Sequence, residues 1–587
     1  MRSPFIVYLL AALLALFSAV QPAPAQAPGY ASTRFEALRG KTIRSIQIRV
    51  SDIFDRPDNY IYRKANELKS TTREQVIRRE LYFREGDKVD PFLLEESERI
   101  LRTLGYLRNV QIVASSVQAD QVDLLVQAQD TWTFIPQMTY SSGTGRKRQS
   151  VGISENNLLG WGKRAEFLYN EDYGRKGFEG VYDDKRFWGT PYRLLGAFFS
   201  RNDGDRTIFL LGKPFRSLVD SESWSVSGDV LDTVGRLFEN GDERFIYRQR
   251  KQDLGMRYTV ASGIPETRLR RFSFGYDYDN AEFEQASAGD YDDLNLDPDE
   301  VSSAPALLAE NRRFTGPAFS YQSIRQDFVP MNYVDRFERV EDFNLGNDFS
   351  ASITLAPEFL GSFENALLIN ANRNTGYRFS PKAFWRGEIG LSTRHTAGGF
   401  EDSLLRAESK YYNVIGPLML RNLSLGRHTF ASSFFIDYGA DLDKDRELLI
   451  GGDNALRGYK SKTFTGNKRY ALNLEDRIHI ADDLFQLISY GAAFFIDVGG
   501  ATYEDLGSLI GEHTYADIGA GLRFAFPRSS GTRVFRIDVA LPLRDGPDGS
   551  DQFSPRIIFA GAQLFGAPLR SETVGPERAT VEVGFDR

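Results

Sequence analysis

The sequence predicts a membrane β-barrel of about 16 antiparallel strands preceded by one small α+β domain. Three observations carry that prediction. The 587 residues include 44 Phe, 27 Tyr and 52 Gly, yet the mean hydropathy is only −0.37. Beyond the N-terminus no apolar run approaches the ~20 residues that a membrane-crossing helix needs. From about Trp132 onward, segments of roughly 8–12 residues alternate apolar and polar positions, separated by stretches rich in Gly, Asp, Asn and Pro. A closed barrel reconciles all three. Its lipid-facing side is apolar and its lumen polar, so the average is hydrophilic, while aromatics form interfacial girdles and glycines allow bends and tight turns. A soluble sandwich also alternates, but it would rarely need such long loops or such a length of chain.

Composition narrows the function. With 72 Lys+Arg against 80 Asp+Glu the chain carries −8, which argues against a nucleic-acid partner, since such a surface is normally basic. Zero cysteines exclude disulfide scaffolds, thiolate metal sites and cysteine nucleophiles. The 4 histidines are scattered and leave little for a metal centre.

The elements follow in order. Arg2, the apolar run from Phe5 to Val20 and an A-x-A pattern ending at Ala25 read as a signal peptide over residues 1–25. A linker occupies 26–40 and the α+β domain 41–131. Within that domain Ile43, Ile46, Ile48 and Val50 mark a strand, and Thr71 with Glu74 three residues on has the spacing of a capping box that opens a helix. Asp90-Pro91 opens a second helix, with Pro91 at its first position. Strands over 110–113 and 122–126 complete a β-α-α-β-β order. The barrel is assigned to 132–565, about 27 residues per strand and connection. A tail of 566–587 follows it.

Alternation also assigns faces. In Val534–Leu541, Phe535, Ile537, Val539 and Leu541 face one way and Val534, Arg536, Asp538 and Ala540 the other. In Tyr515–Phe526, Ile518, Ala520, Leu522 and Phe524 oppose Asp517, Gly519, Gly521 and Arg523.

The motifs of the C-terminal third carry a resemblance. Leu456-Arg457-Gly458-Tyr459 stands in a long loop, and Phe494-Phe495-Ile496-Asp497-Val498-Gly499 follows on a later strand. With the β-α-α-β-β unit, which resembles a POTRA domain, and the segment Gly152–Gly162, the ordered set is similar to the Omp85 superfamily of outer-membrane proteins, of the surface-antigen type. That resemblance implies a 16-stranded outer-membrane barrel with a periplasmic POTRA-like domain, short periplasmic turns and an L-R-G-Y loop folded into the lumen. It implies client polypeptides and outer-membrane lipids as partners, together with accessory periplasmic or lipoprotein subunits. The implied roles are insertion or assembly of clients, or their translocation, through a lateral seam or pore. The alternatives are a two-partner-secretion-like transporter, which usually carries two POTRA units and an N-terminal plug helix, and a passive solute pore.

Residue chemistry names a site. Alternation places Phe495, Asp497 and Gly499 on the lumen wall, with Asn473, Glu475 and Arg477 on the preceding strand. An isolated wall carboxylate needs water or a partner. Arg457, folded in on its loop, supplies a bidentate guanidinium to Asp497, with Glu475 beside it, and Gly458 permits a tight backbone at the loop tip. Phe434-Phe435-Ile436-Asp437-Tyr438-Gly439 echoes the later motif without a preceding L-R-G-Y and is read as a similar wall strand. Asp441, Asp443 and Asp445 begin like a calcium loop, but Arg446 stands where the glycine is required. The ten acidic residues of 277–300 read as a solvated loop. No phosphate loop, nucleophile elbow or zinc-helix motif is present, so neither enzymatic activity, catalytic residues nor a cofactor or metal is expected.

Overall fold

The computed structural model describes residues 34–54, 59–141, 148–172, 174–421, 423–452, 454–530 and 534–560. The expected signal peptide (1–25), most of the linker (26–40), the end of the last strand up to Phe565 and the tail 566–587 lie outside the described residues.

The N-terminal domain comprises β1 (Thr42–Ser51), α1 (Tyr60–Leu68), α2 (Glu74–Arg78), α3 (Pro91–Thr103), β2 (Leu107–Val117) and β3 (Gln121–Asp130). The sheet order is β1-β3-β2, so β1 and β2 are its edges. β3 runs parallel to β1 and antiparallel to β2. Ile43, Ile77, Leu94, Leu101, Ile112 and Leu124 close a core between this sheet and the helices. α3 starts where the sequence places it: the Asp90 side chain accepts from the Phe92 amide and Pro91 occupies the first turn.

Two expectations are corrected here. α2 begins at Glu74 behind Arg73, without a side-chain cap, so Thr71 lies outside the helix and does not open it; Thr72, between them, is tied by its hydroxyl to the buried Asp130 at 2.6 Å. Lys69 and the Thr72 amide also donate to that carboxylate, and the Thr72 hydroxyl oxygen accepts from Asn157 at 2.8 Å. The order is also β-α-α-α-β-β. α1 is an additional helix, started by Asn59, whose side chain accepts from Ile61 and Tyr62.

The barrel is a ring of twenty strands, from Phe134–Ser141 to Arg556–Ala560. The excess over sixteen comes from tight connections. Asn240-Gly241 alone joins Glu222–Glu239 to Asp242–Ile264, with φ of 54° and 90°, the left-handed pair that a two-residue hairpin needs. Consecutive strands are joined by registered antiparallel ladders all the way round. The ring order then brings the last strand beside the first. The continuation of the last strand beyond Ala560 lies outside the described residues.

The two faces of the wall differ as the alternation requires. Phe494 (58% exposed), Leu522 (51%), Ile496 (46%) and Phe535 (41%) form part of an apolar outer belt, while Asp497, Asp517 and Asp538 on the same strands are fully buried inside. An exposed apolar belt around a charged interior is stable only in lipid. Among the described residues no helix is long and apolar enough to cross a membrane.

The N-terminal domain sits at one end of the barrel. Arg186 and Arg216, from two turns at that end, both donate to Glu80. Arg528 reaches the Ile53 carbonyl and Tyr62 the Phe485 carbonyl. Burial alone would raise the Glu80 carboxyl, but the two guanidiniums outweigh it and hold it below its ordinary value.

Short turns were expected at this end, and one connection departs from that. Residues 326–346 fold up into the lumen as a hairpin of Phe328–Met331 and Glu341–Asn344. Val329, Val334, Phe343 and Leu345 pack against the wall residues Phe384, Tyr412, Val414 and Ala431. Buried apolar area of this kind holds a segment in place. The hairpin plugs the lumen from the side of the N-terminal domain.

A buried arginine latch as the candidate functional site

The loop that carries Arg457 enters the lumen from the opposite end. Leu448–Ile450 pairs with Phe464–Gly466 as a short two-stranded stem. Between them the chain turns on itself, with the Leu456 amide donating to the Gly451 carbonyl at 2.9 Å. Leu456 is fully buried with Ile450, Ala455, Tyr459 and Phe464 against the wall residues Ala471 and Ala501.

Arg457 is 0% exposed. Its Nε donates to Asp497 Oδ2 at 2.7 Å and its Nη2 to Asp497 Oδ1 at 2.8 Å, a bidentate pair. Its third nitrogen, Nη1, lies 3.6 Å from both Glu475 Oε1 and Asp538 Oδ2. The guanidinium stacks on the Phe495 ring, 3.3 Å from its centroid. Asn473 binds the arrangement together, donating to Asp497 Oδ1 and to the Ala455 carbonyl of the loop, both at 2.8 Å. Tyr459 donates to the carbonyls of Ala516 (3.2 Å) and Arg544 (2.9 Å).

The loop therefore grips four consecutive strands: Lys468–Leu484, Ile488–Thr502, Tyr515–Ala525 and Val534–Pro542. The next strand is the last one, at the seam. A cation held at the centre of a carboxylate cluster is expensive to bury alone and binds strongly once paired.

Several expected residues take other positions. Gly458 does not have the left-handed backbone that a tight tip would use. It is needed for approach, because a Cβ there would lie 2.7 Å from the Asp517 Cβ and 3.0 Å from the Pro542 nitrogen. Glu475 is held mainly by Arg523, at 2.6 Å, and only at longer range by Arg457. Arg477 turns away from the latch. Its Nη1 donates to the Val334 carbonyl (2.7 Å) and to Asp335 (3.0 Å) of the plug hairpin, and its Nε to Glu475 at 3.2 Å. Gly499 packs against the neighbouring strand at Tyr470 and Ala471, outside the latch.

The structure adds Asn473, Arg523 and Asp538, the last two joined at 2.5 Å. Their signal was present in the alternation, which puts all three on the inner face, Asn473 and Arg523 on the two strands flanking the F-x-D-x-G motif and Asp538 one strand further on. The acidic and calcium-like segments are engaged elsewhere. Asp445 pairs with Lys251 and Arg312, and Asp443 with Arg394. Asp290 pairs with Arg248 on an inward-packed helix, Ala288–Leu294. Among the described residues no group of three or more His, Asp or Glu could hold a metal ion.

With this geometry in hand the comparisons fall into place. Residues 67–128 match the family model POTRA, described as surface antigen variable number repeat. The chain is thus a β-barrel protein with one N-terminal POTRA-type domain. No curated protein matches it. Among solved structures it is similar to BamA from Haemophilus ducreyi lacking POTRA domains 1–3, at 14% identity over 88% of this chain and 84% of that one, with a TM-score of 0.36. CdiB from Acinetobacter baumannii matches at 12% identity over 89% and 73%, with a TM-score of 0.41. CdiB from Escherichia coli matches at 11% identity over 89% and 76%, with a TM-score of 0.44.

Proposed function

We propose that this chain is an Omp85-type protein of a bacterial outer membrane that receives client polypeptides at a periplasmic POTRA domain and passes them to the membrane through the barrel seam. One observation carries the reading most directly: chain segments enter the lumen from both ends, while the last strand meets the first at a seam that the Arg457 loop stops one strand short of gripping. Parting that seam would expose backbone groups of the first and last strands, a template for a client strand, which satisfies them by pairing. Lipid cannot satisfy those groups, so exchange of strands at the seam is the favourable outcome. The Arg457 latch, spanning four strands up to the penultimate one, biases whether the seam can part. A filled lumen fits poorly with a passive solute pore.

A second reading is secretion of a polypeptide through the lumen, for which the plug hairpin would have to leave. The chain contains no cysteine, so a cysteine pair introduced into Phe134–Ser141 and Arg556–Ala560 can lock the seam alone. The assay is insertion of a labelled barrel client into liposomes carrying the protein. Seam insertion expects the oxidised, linked barrel to be inactive and the reduced one active. Full activity of the linked barrel overturns that reading in favour of the lumen.

A further inference from the structure

The plug hairpin is tied to the POTRA-type domain as well as to the wall. Arg102 of α3 donates to both carboxylate oxygens of Asp342, each at 3.0 Å. Arg99 stacks over Phe328 at 4.6 Å. In the other direction Arg339 of the hairpin donates to backbone carbonyls of the domain, Leu107 at 3.0 Å and Gly105 at 3.4 Å. Leu107 begins β2, an edge strand whose outer side carries no neighbouring strand.

Side chains occupy that open edge. Ile112, further along β2, accepts from Arg34 through its carbonyl (2.7 Å) and donates its amide to Glu98 (2.9 Å). Capping the open groups of an edge with charged side chains is a known way of keeping it from pairing with other chains. Here the cap at Leu107 is supplied by the hairpin that blocks the lumen. A cavity of about 1270 Å³ opens at the same place, between β2, α3 and the hairpin, with Arg339 and Leu107 both in its lining.

We propose that the plug and an incoming extended polypeptide compete for the β2 edge, so that capture of a client strand releases the hairpin's hold on the POTRA-type domain and frees the plug. The ligand is an extended chain whose amides and carbonyls replace Arg34, Glu98 and Arg339 along Leu107–Ile112. This rests on the reading that the domain receives clients by strand addition, and adds the consequence of that addition. Displacing Arg339 leaves Arg102–Asp342 and the longer Arg108–Glu338 pair, at 4.0 Å, among the ties of the hairpin to the domain. The same connecting loop of the hairpin rests, through Val334 and Asp335, on Arg477, which bonds Glu475, which in turn lies 3.6 Å from Arg457. Movement of the hairpin therefore reaches the latch through direct contacts.

The test uses the full chain in planar bilayers and a synthetic nine-residue peptide with the sequence of Val534–Pro542, added to the POTRA side. Two quantities are read: ionic conductance, and peptide affinity by fluorescence anisotropy. In the wild type, peptide binding is expected to raise conductance. Arg339→Ala is expected to raise basal conductance and to tighten peptide binding about tenfold, the scale of one charge-assisted hydrogen bond. Arg339→Lys, which keeps a donor, should restore most of both. Heat-modifiable mobility on gels confirms that each barrel is folded. If peptide binds equally to wild type and Arg339→Ala and leaves conductance unchanged, the competition is overturned while strand capture stands. If peptide binds to neither, strand capture itself fails and the competition falls with it.

Discussion

Two buried aspartates with the same local sequence behave differently. Asp437 and Asp497 each follow Phe-Phe-Ile on a barrel strand and each is 0% exposed. Asp437 lies directly across from Arg406 on one neighbouring strand and from Arg469 on the other, and both clamp it, at 2.7 Å and 2.6 Å. Asp497 has Asn473 and Asp517 in those positions, and neither is a cation. The wall satisfies the first carboxylate by itself and leaves the second to be satisfied from a loop. The difference teaches that ladder register, rather than the motif, separates a structural clamp from a latch. One is a closed circuit within the sheet, and the other needs a partner from outside the sheet to be complete.

That comparison can be broken at several points. The largest effect is expected from Arg457→Ala, which strands Asp497 and removes a cation from Glu475 and Asp538. About 3–5 kcal/mol of loop anchoring should be lost, seen as proteolytic sensitivity of residues 451–460 with the barrel still heat-modifiable. Arg406→Ala leaves Asp437 with Arg469, and should lower the barrel's thermal midpoint without exposing that loop. If both variants release the loop equally, the distinction is wrong.

A smaller effect, about 1–3 kcal/mol, is expected from Gly458→Ala, because the added methyl drives the loop tip off Asp517 and Pro542. The same proteolysis assay reads it, and unchanged protection would show that the close approach is not needed.

The smallest effect lies away from the latch, at Glu80, and depends on pH. Its carboxyl is depressed in the folded protein, so its contribution is complete above the ordinary value of 4.5 and is lost as pH falls through the lower folded value. Trp161, which packs against the core of the POTRA-type domain, should report weakened docking by fluorescence in that acidic window. Glu80→Gln should flatten the response, and an unchanged response would assign the transition to other acids.

Much of the wall was legible because strand alternation is a local property. The facing of Phe494 to Gly499 and of Val534 to Leu541 follows from parity alone, and so does the inward aim of Arg523 and Asp538. The start of α3 was legible for the same reason, since Asp90 and Pro91 act within one turn. The plug hairpin was not legible: its strands are four residues long, Pro330 interrupts one of them, and neither shows a period. α1 is nine residues long and none of them is buried, so the face of Ile61, Ala65 and Leu68 was too short a pattern to read as a helix. Arg477 was placed on the inner wall, but its bond to the hairpin was not legible, since the Val334 carbonyl it binds lies 143 residues away.

The sequence by itself determined that an apolar belt and a polar lumen had to share one set of strands, because period-two patterning sends neighbouring side chains to opposite faces. It also determined that an arginine and an aspartate in the lumen needed partners, because buried charge is unstable alone. Only the tertiary structure decided which partners they took. Register across the ladders set Arg406 and Arg469 beside one aspartate and withheld a cation from the other. The return of residues 326–346 into the lumen joined Arg477 to a plug that in turn caps the edge of the POTRA-type domain. Those pairings depend on where distant segments meet, which no local pattern encodes.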